Sequence, residues 1–241
     1  MRIARFHQRG MTLLELMTVV AILGVVAALG VSAMGDTVAR GATQNASAEL
    51  SAALNLAKNR AAERGSSVIV LVYPTYQKST GSLTAGNGAY FIYEDADGDF
   101  FLEGASPANG DRSYASFTPP NAIRPTGTSP DRLLEAIYLD DYPRQNARFF
   151  KPQTGFTTVT WAAPFTNIAT AANTNGCSFC AGTRGAMVFS ADRHVRFFKA
   201  DGSQSSAQVH GLAIQAPLEL STVHRFGVVA ATGFSSYSRV P

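Results

Sequence analysis

Hydrophobic and polar positions divide this chain sharply near its start. Met1 to Gly10 is basic, with Arg2, Arg5 and Arg9 and no acid. Leu16 to Gly35 is an apolar run without a charge. About 20 such residues suffice to cross the hydrocarbon of a bilayer as a helix. Leu16, Val19, Val20, Ile22, Leu23, Val25, Val26, Leu29 and Val31 together favour insertion by roughly 3 to 5 kcal/mol. Glu15 is the only charge near the start of the run. A carboxylate at the bilayer centre costs about 2.5 to 3.5 kcal/mol and less near a helix end, so the segment tolerates it. A carboxylate in that setting still wants a partner, and ionisable groups inside membranes are usually functional.

Further on, the apolar positions narrow to a stripe. Leu50, Leu54, Ala57 and Ala61 fall at i, i+4, i+7 and i+11, one face of a 3.6-residue period. Asn45, Glu49, Lys58 and Glu63 lie largely off that face. Arg64–Gly65 supplies a basic last turn and a glycine stop. The spacing predicts one helix from Thr12 to Arg64, with Gly35 and Gly41 as weak points of about 1 kcal/mol each. Beyond Gly65 the period changes to two. Strands are predicted at Ser67–Tyr73 and Ala89–Glu94, with Phe100–Leu102 as partner of the latter. Short strands follow at Glu135–Leu139, Arg148–Phe150 and Phe156–Trp161. A C-terminal run comprises Gly185–Ser190, His194–Lys199, Val209–Gln215 and Phe226–Ala231. Gly104–Asp131, with five prolines, is an irregular excursion, and Asn167–Arg184 is a polar loop. The fold class is α+β: a long N-terminal helix packed on antiparallel sheet.

The stretch Gly10-Met-Thr-Leu-Leu-Glu15, followed by the apolar run, resembles the class III signal of type IV pilins and type II secretion pseudopilins. The resemblance implies a leader, Met1–Gly10, cut at Gly10–Met11 by a prepilin peptidase/methyltransferase that also N-methylates Met11. It implies that Glu15 pairs with the freed ammonium of a neighbouring subunit. Met11 stands where the family most often has Phe. LNLAKNRAAERGSSVIVLV, GAMVFSADRHVRFF and LAIQAP…VVAATG further resemble the GspH/FimT/FimU class of minor pilins and pseudopilins. On this reading residues 1–10 are leader, 11–35 the membrane and filament-core helix, 36–65 its amphipathic continuation, and 66–241 an exported β-rich head. The implied partners are other minor and major pilins or pseudopilins, with Met17, Val20, Leu23, Ala27 and Val31 against neighbouring helices. An ordinary secretory signal is the competing reading, with Ala27–Gly30 as its small-residue cleavage site. The length of the apolar run and its continuation into a helical pattern point away from it.

Charge fits the first reading. The three leader arginines place the N-terminus in the cytoplasm and the head in the periplasm. They also account for the net charge of +3, since the remaining chain holds 17 basic and 17 acidic residues. The expected location is the inner membrane as a single-pass protein, then a filament tip. Between a type IV pilus and a type II secretion pseudopilus, the long Gly/Pro-rich middle favours an elaborated pilus tip.

Three groups of residues invite further chemistry. Asp95, Asp97 and Asp99 alternate around Gly98 between aromatic-rich segments. Two readings fit: a hairpin turn alone, or a hairpin turn holding a structural Ca²⁺, with no other cofactor expected. Cys177 and Cys180 cannot make a four-ligand zinc site, and in an exported chain they are expected as an oxidised clip shaping a surface feature. Arg184, Arg193, Arg196 and Lys199 belong to a C-terminal region with six bases against three acids, a modest excess for DNA capture. Catalysis finds no motif: His7 lies in the leader, and His194, His210 and His224 lie in or beside strands.

Overall fold

The computed structural model describes residues 13–102, 113–115, 117, 119, 130–143, 146–151, 176–217, 223–233 and 235–240. Residue contacts divide the chain into two units, Met1–Val38 and Ala39–Pro241. Helix α1 (Leu13–Arg64) supplies the described part of the first unit and opens the second. It is helical at both Gly35 and Gly41. It ends where predicted: Gly65 takes φ +71°, and its amide donates to the Ala61 carbonyl.

In the second unit, two antiparallel sheets follow. The first has the order β3-β2-β1-β5-β6, built from β1 (Ser67–Tyr73), β2 (Ala89–Asp95), β3 (Arg132–Tyr138), β5 (Gly185–Phe189) and β6 (Val195–Lys199). The second has the order β4-β7-β8-β9, from β4 (Arg148–Phe149), β7 (Val209–Gln215), β8 (Val223–Val229) and β9 (Ser235–Val240). Ala46, Leu50, Ala53, Leu54, Ala57 and Ala61 form the buried stripe of α1. Four of these six are alanines, which lets the helix backbone lie close to the sheets. At its end Arg60 pairs with Glu94 of β2 at 3.4 Å, and Ser66 Oγ donates to the same carboxylate.

The unbroken apolar run of β1 has a physical cause. Val68, Val70 and Val72 face the helix core, while Ile69, Leu71 and Tyr73 face a second, aromatic-rich cluster on the other side of the sheet. A strand covered on both faces reads as continuous hydrophobicity, not alternation. The second cluster corrects one expectation. Phe100–Leu102 is not a strand, and Asp95–Asp99 does not turn β2 back into a hairpin. The partners of β2 are β1 and β3. Phe100 is instead buried against Tyr93, Phe101, Tyr114 and Phe117, whose rings cap the sheet face that would otherwise meet water. Burial of these aromatics outweighs the local hairpin signal. The other strands form within a few residues of their expected places. β9 was not expected, and Phe156–Trp161 and most of Gly104–Asp131 lie outside the described residues.

Candidate functional site: the apolar helix, its acid and the acidic corner

In the first unit, Leu13–Gly30 has a mean hydropathy of 2.4 and none of it is buried. Among the described residues this is the one helix long and apolar enough to cross a membrane. Its large side chains are exposed all round: Leu16, Met17, Val20, Leu23, Val26 and Leu29 are each at least half accessible. A helix apolar on every side is covered by lipid or by other helices. Glu15 sits in its first turn. There the carboxylate meets the positive end of the helix dipole, worth about 0.3 to 1 kcal/mol. Helix α1 thus carries the exposed apolar surface of the first unit and the buried stripe of the second.

A second constellation lies at the end of β2. One carboxylate oxygen from each of Asp95, Asp97, Asp99 and Asp131 falls within 4.8 Å of the others. Gly98, at φ +86°, donates its amide to Asp95 Oδ1 at 2.8 Å, and Ala96 donates to Asp131 Oδ1 at 2.7 Å. Asp131 arrives from the start of β3, far along the chain, and no local pattern announces it. Glu94 does not join the group, because Arg60 holds it. Burial pushes the Asp95 carboxyl up to about 6; the Gly98 amide opposes this, and the charges of Asp97 and Asp99 add to it.

Comparison with known families finds a match at residues 5–31, to the prokaryotic N-terminal methylation motif. The chain carries a prepilin-type signal. No curated protein and no solved structure matches it. The prepilin-type signal supports a protein of pilin or pseudopilin type, and implies processing by a prepilin peptidase and assembly with other pilins. It covers Gly10, Met11 and Glu15; Gly10 and Met11 themselves lie outside the described residues. The N-terminal apolar helix of this prepilin-type chain fits membrane anchoring.

The cysteine clip corrects a second expectation. Cys177 and Cys180 are disulfide-bonded, but they sit in the main core and not at the surface. The segment is also no simple polar loop, since Gly176–Cys180 is buried throughout. Ala213 N donates to Gly176 O at 2.7 Å, and Ser178 N donates to Gly211 O at 2.9 Å, so the segment lies along β7 beyond the end of β4. Phe179 then packs on Phe197 of β6, with ring centroids 5.2 Å apart. Gly185 has no room for a side chain, since a Cβ there would lie 2.7 Å from Phe179 and 2.9 Å from Cys180 Sγ. The clip thus ties the second sheet to the first. A loop this short contributes about 2 kcal/mol on the chain-entropy model.

Two histidines of the second sheet, His210 and His224, are buried. His210 Nδ1 lies 2.9 Å from Ser178 Oγ, and the Gly211 amide donates to the same hydroxyl. His224 Nδ1 lies 2.6 Å from Tyr237 Oη. Burial lowers both pKa values to about 4, and the Arg239 charge adds to the effect at His224. Unfolded histidine titrates near 6.5. The stability these groups contribute is therefore present above that pH and lost as pH falls toward 4. Asp95 acts oppositely: its contribution is present below the unfolded value near 3.9 and lost as pH rises through about 6. Two histidines outweigh one aspartate, so the melting temperature falls between pH 6.5 and 4. Thermal melts across that range check this, and a constant or rising value contradicts it.

The four candidate nucleic-acid residues do not share one surface. Arg184 is turned inward: its guanidinium lies 4.4 Å over the Tyr114 ring, and Nη1 donates to the Phe117 carbonyl at 2.9 Å. Arg196 and Lys199 project from opposite faces of β6, and Arg193 sits exposed in the preceding turn at φ 68°.

Proposed function

We propose that this chain is a minor pilin, a non-catalytic structural subunit of a type IV pilus that joins the tip complex and primes filament assembly. The observation that carries this reading is the all-round apolar helix with one carboxylate in its first turn, inside the matched prepilin-type signal. Arg2, Arg5 and Arg9 hold the leader in the cytoplasm while the head is exported. The helix then stores the subunit in the inner membrane. Cleavage at Gly10–Met11 removes three positive charges that would be costly to pack in an apolar filament core. It also creates an ammonium at Met11, which neutralises Glu15 of a neighbouring subunit. Met17, Val20 and Leu23 pack against adjacent helices. Deleting the gene tests the reading: surface filaments are lost while release of exoproteins continues. The opposite result makes the chain a pseudopilin of a type II secretion system.

A structural Ca²⁺ at Asp95, Asp97 and Asp99, with Asp131 as fourth ligand, belongs to the same reading. Calcium takes oxygens at about 2.3 to 2.6 Å, so ligands around one ion lie up to about 5 Å apart, which the spacing of this corner satisfies. Calorimetric titration with calcium gives heat and a raised melting temperature, and Asp131→Asn abolishes both. Neither heat nor shift in the parent chain ends the calcium proposal.

A further inference from the structure

We propose that the cavity between helix α1 and strand β3 receives an arginine side chain presented by another polypeptide, held by Glu49, Glu135 and the hydroxyls of Tyr90 and Tyr142. The cavity measures about 210 Å³, and Glu49, Ile137, Tyr142 and Pro143 are among the residues that line it. Glu49 comes from α1. Glu135 comes from β3, where it pairs with Ile92, a member of the core cluster under the helix. Residues directly opposite each other share a face of the sheet, so Glu135 is turned toward α1. Burial, and after it the Glu135 charge, push the Glu49 carboxyl above its ordinary value. Among the described residues neither acid has an ion-pair partner.

Two buried hydroxyls add an independent observation. Tyr90 is fully buried and pairs with Ile137 on the helix side of the sheet. Burial, followed by the charges of Glu49 and Glu135, pushes its hydroxyl up, so it stands in the field of both carboxylates. The Tyr142 hydroxyl is buried at the cavity wall. Among the described residues neither hydroxyl has a hydrogen-bond partner. Buried polar groups are nearly always bonded, so an orphaned pair beside two unpaired acids points to a missing donor. A cation with several N–H groups supplies it: the cation neutralises the acids and donates to the hydroxyl oxygens.

The shape of the site selects arginine. Among the described residues, the acids that come within 4.8 Å of one another as a set are those of the Asp95 corner, and Glu49 and Glu135 belong to no such set. A planar guanidinium with five donors bridges wider acids than a metal ion or an ammonium does. Ile137, Pro143 and the Tyr142 ring offer an apolar wall for its methylene stem. Asp141, exposed at the rim, is already held by Lys78, which leaves Glu49 and Glu135 as the acids in need of a cation. Free arginine brings its own carboxylate toward Glu49, and like charges repel. An arginine within a chain carries no such carboxylate.

Calorimetric titration of the full-length chain in non-ionic detergent tests this. The probe is acetyl-Gly-Arg-Gly-amide, and its citrulline counterpart is the uncharged isostere. The arginine peptide gives a saturable heat, while the citrulline peptide and free arginine bind at least about tenfold more weakly. Glu49→Gln and Glu135→Gln each weaken peptide binding at least about tenfold. Asp192→Asn, at an exposed acid between β5 and β6, leaves it unchanged. Tyr90→Phe weakens binding while the melting temperature holds or rises, because the hydroxyl it removes has no partner among the described residues. A purely structural tyrosine would not give that combination. Equal binding of the arginine and citrulline peptides overturns the proposal, as does the absence of any heat. So does undiminished binding by the folded glutamine variants or by Tyr90→Phe, or free arginine binding as tightly as the peptide.

Discussion

Replacing Glu15 by leucine will leave the chain in the membrane and keep it out of the filament. Insertion improves, because a carboxylate is removed from a run that already favours hydrocarbon. Assembly fails for the opposite reason. Without the acid, the ammonium at Met11 enters the packed helices uncompensated, and removing one partner of a buried ion pair costs about 3 to 5 kcal/mol. At 1.4 kcal/mol per factor of ten, incorporation falls by at least about a hundredfold. Immunoblots of sheared filaments against the membrane fraction measure this directly. Glu15→Asp retains the charge with a shorter reach and gives an intermediate level. Equal incorporation of the leucine variant removes the electrostatic basis of the proposed function.

The second large effect concerns the head. Phe197 is 1% exposed and lies between Phe179, at 5.2 Å, and His210, at 4.1 Å between ring centroids. It is where the first sheet, the clip and the second sheet meet. Phe197→Ala removes a fully buried ring at a cost of about 3 to 5 kcal/mol. For a domain of this size the melting temperature drops by roughly 6 to 20 °C. Leu102→Ala, at a residue 58% exposed, changes stability by less than about 0.5 kcal/mol and serves as the control. A Phe197→Ala melt within 2 °C or so of the parent, at the low end of a single kcal/mol, shows that the sheets do not depend on this junction.

Most of the scaffold was legible because it rests on periodic burial. The stripe Leu50, Leu54, Ala57, Ala61 is one face of a helix whichever sheet it meets, and Ser67–Tyr73 is apolar at every position because both of its faces are covered. The stem was legible for a different reason: an acid next to a long uncharged run is rare enough to identify itself. What escaped depends on contacts between distant segments. Phe100 and Phe101 read as strand from their own neighbourhood, yet Tyr114 and Phe117 draw them into a cap. Asp131 completes the acidic corner from the start of β3, and nothing near it in the chain marks it. Cys177 and Cys180 sit among Asn, Gly and Ser, so composition placed them at the surface, whereas pairing of their backbone with β7 carries them inside. β9 was missed because SSYSRV alternates small polar residues with one aromatic and has too little apolar content to signal a strand.

The charge pairing at the heart of this account requires a particular amino group, and mass spectrometry of the protein recovered from its native host reads it. The account predicts a chain that begins with N-methylated Met11. A chain that retains Met1, or one cut after Gly30 in the manner of an ordinary secretory signal, contradicts it.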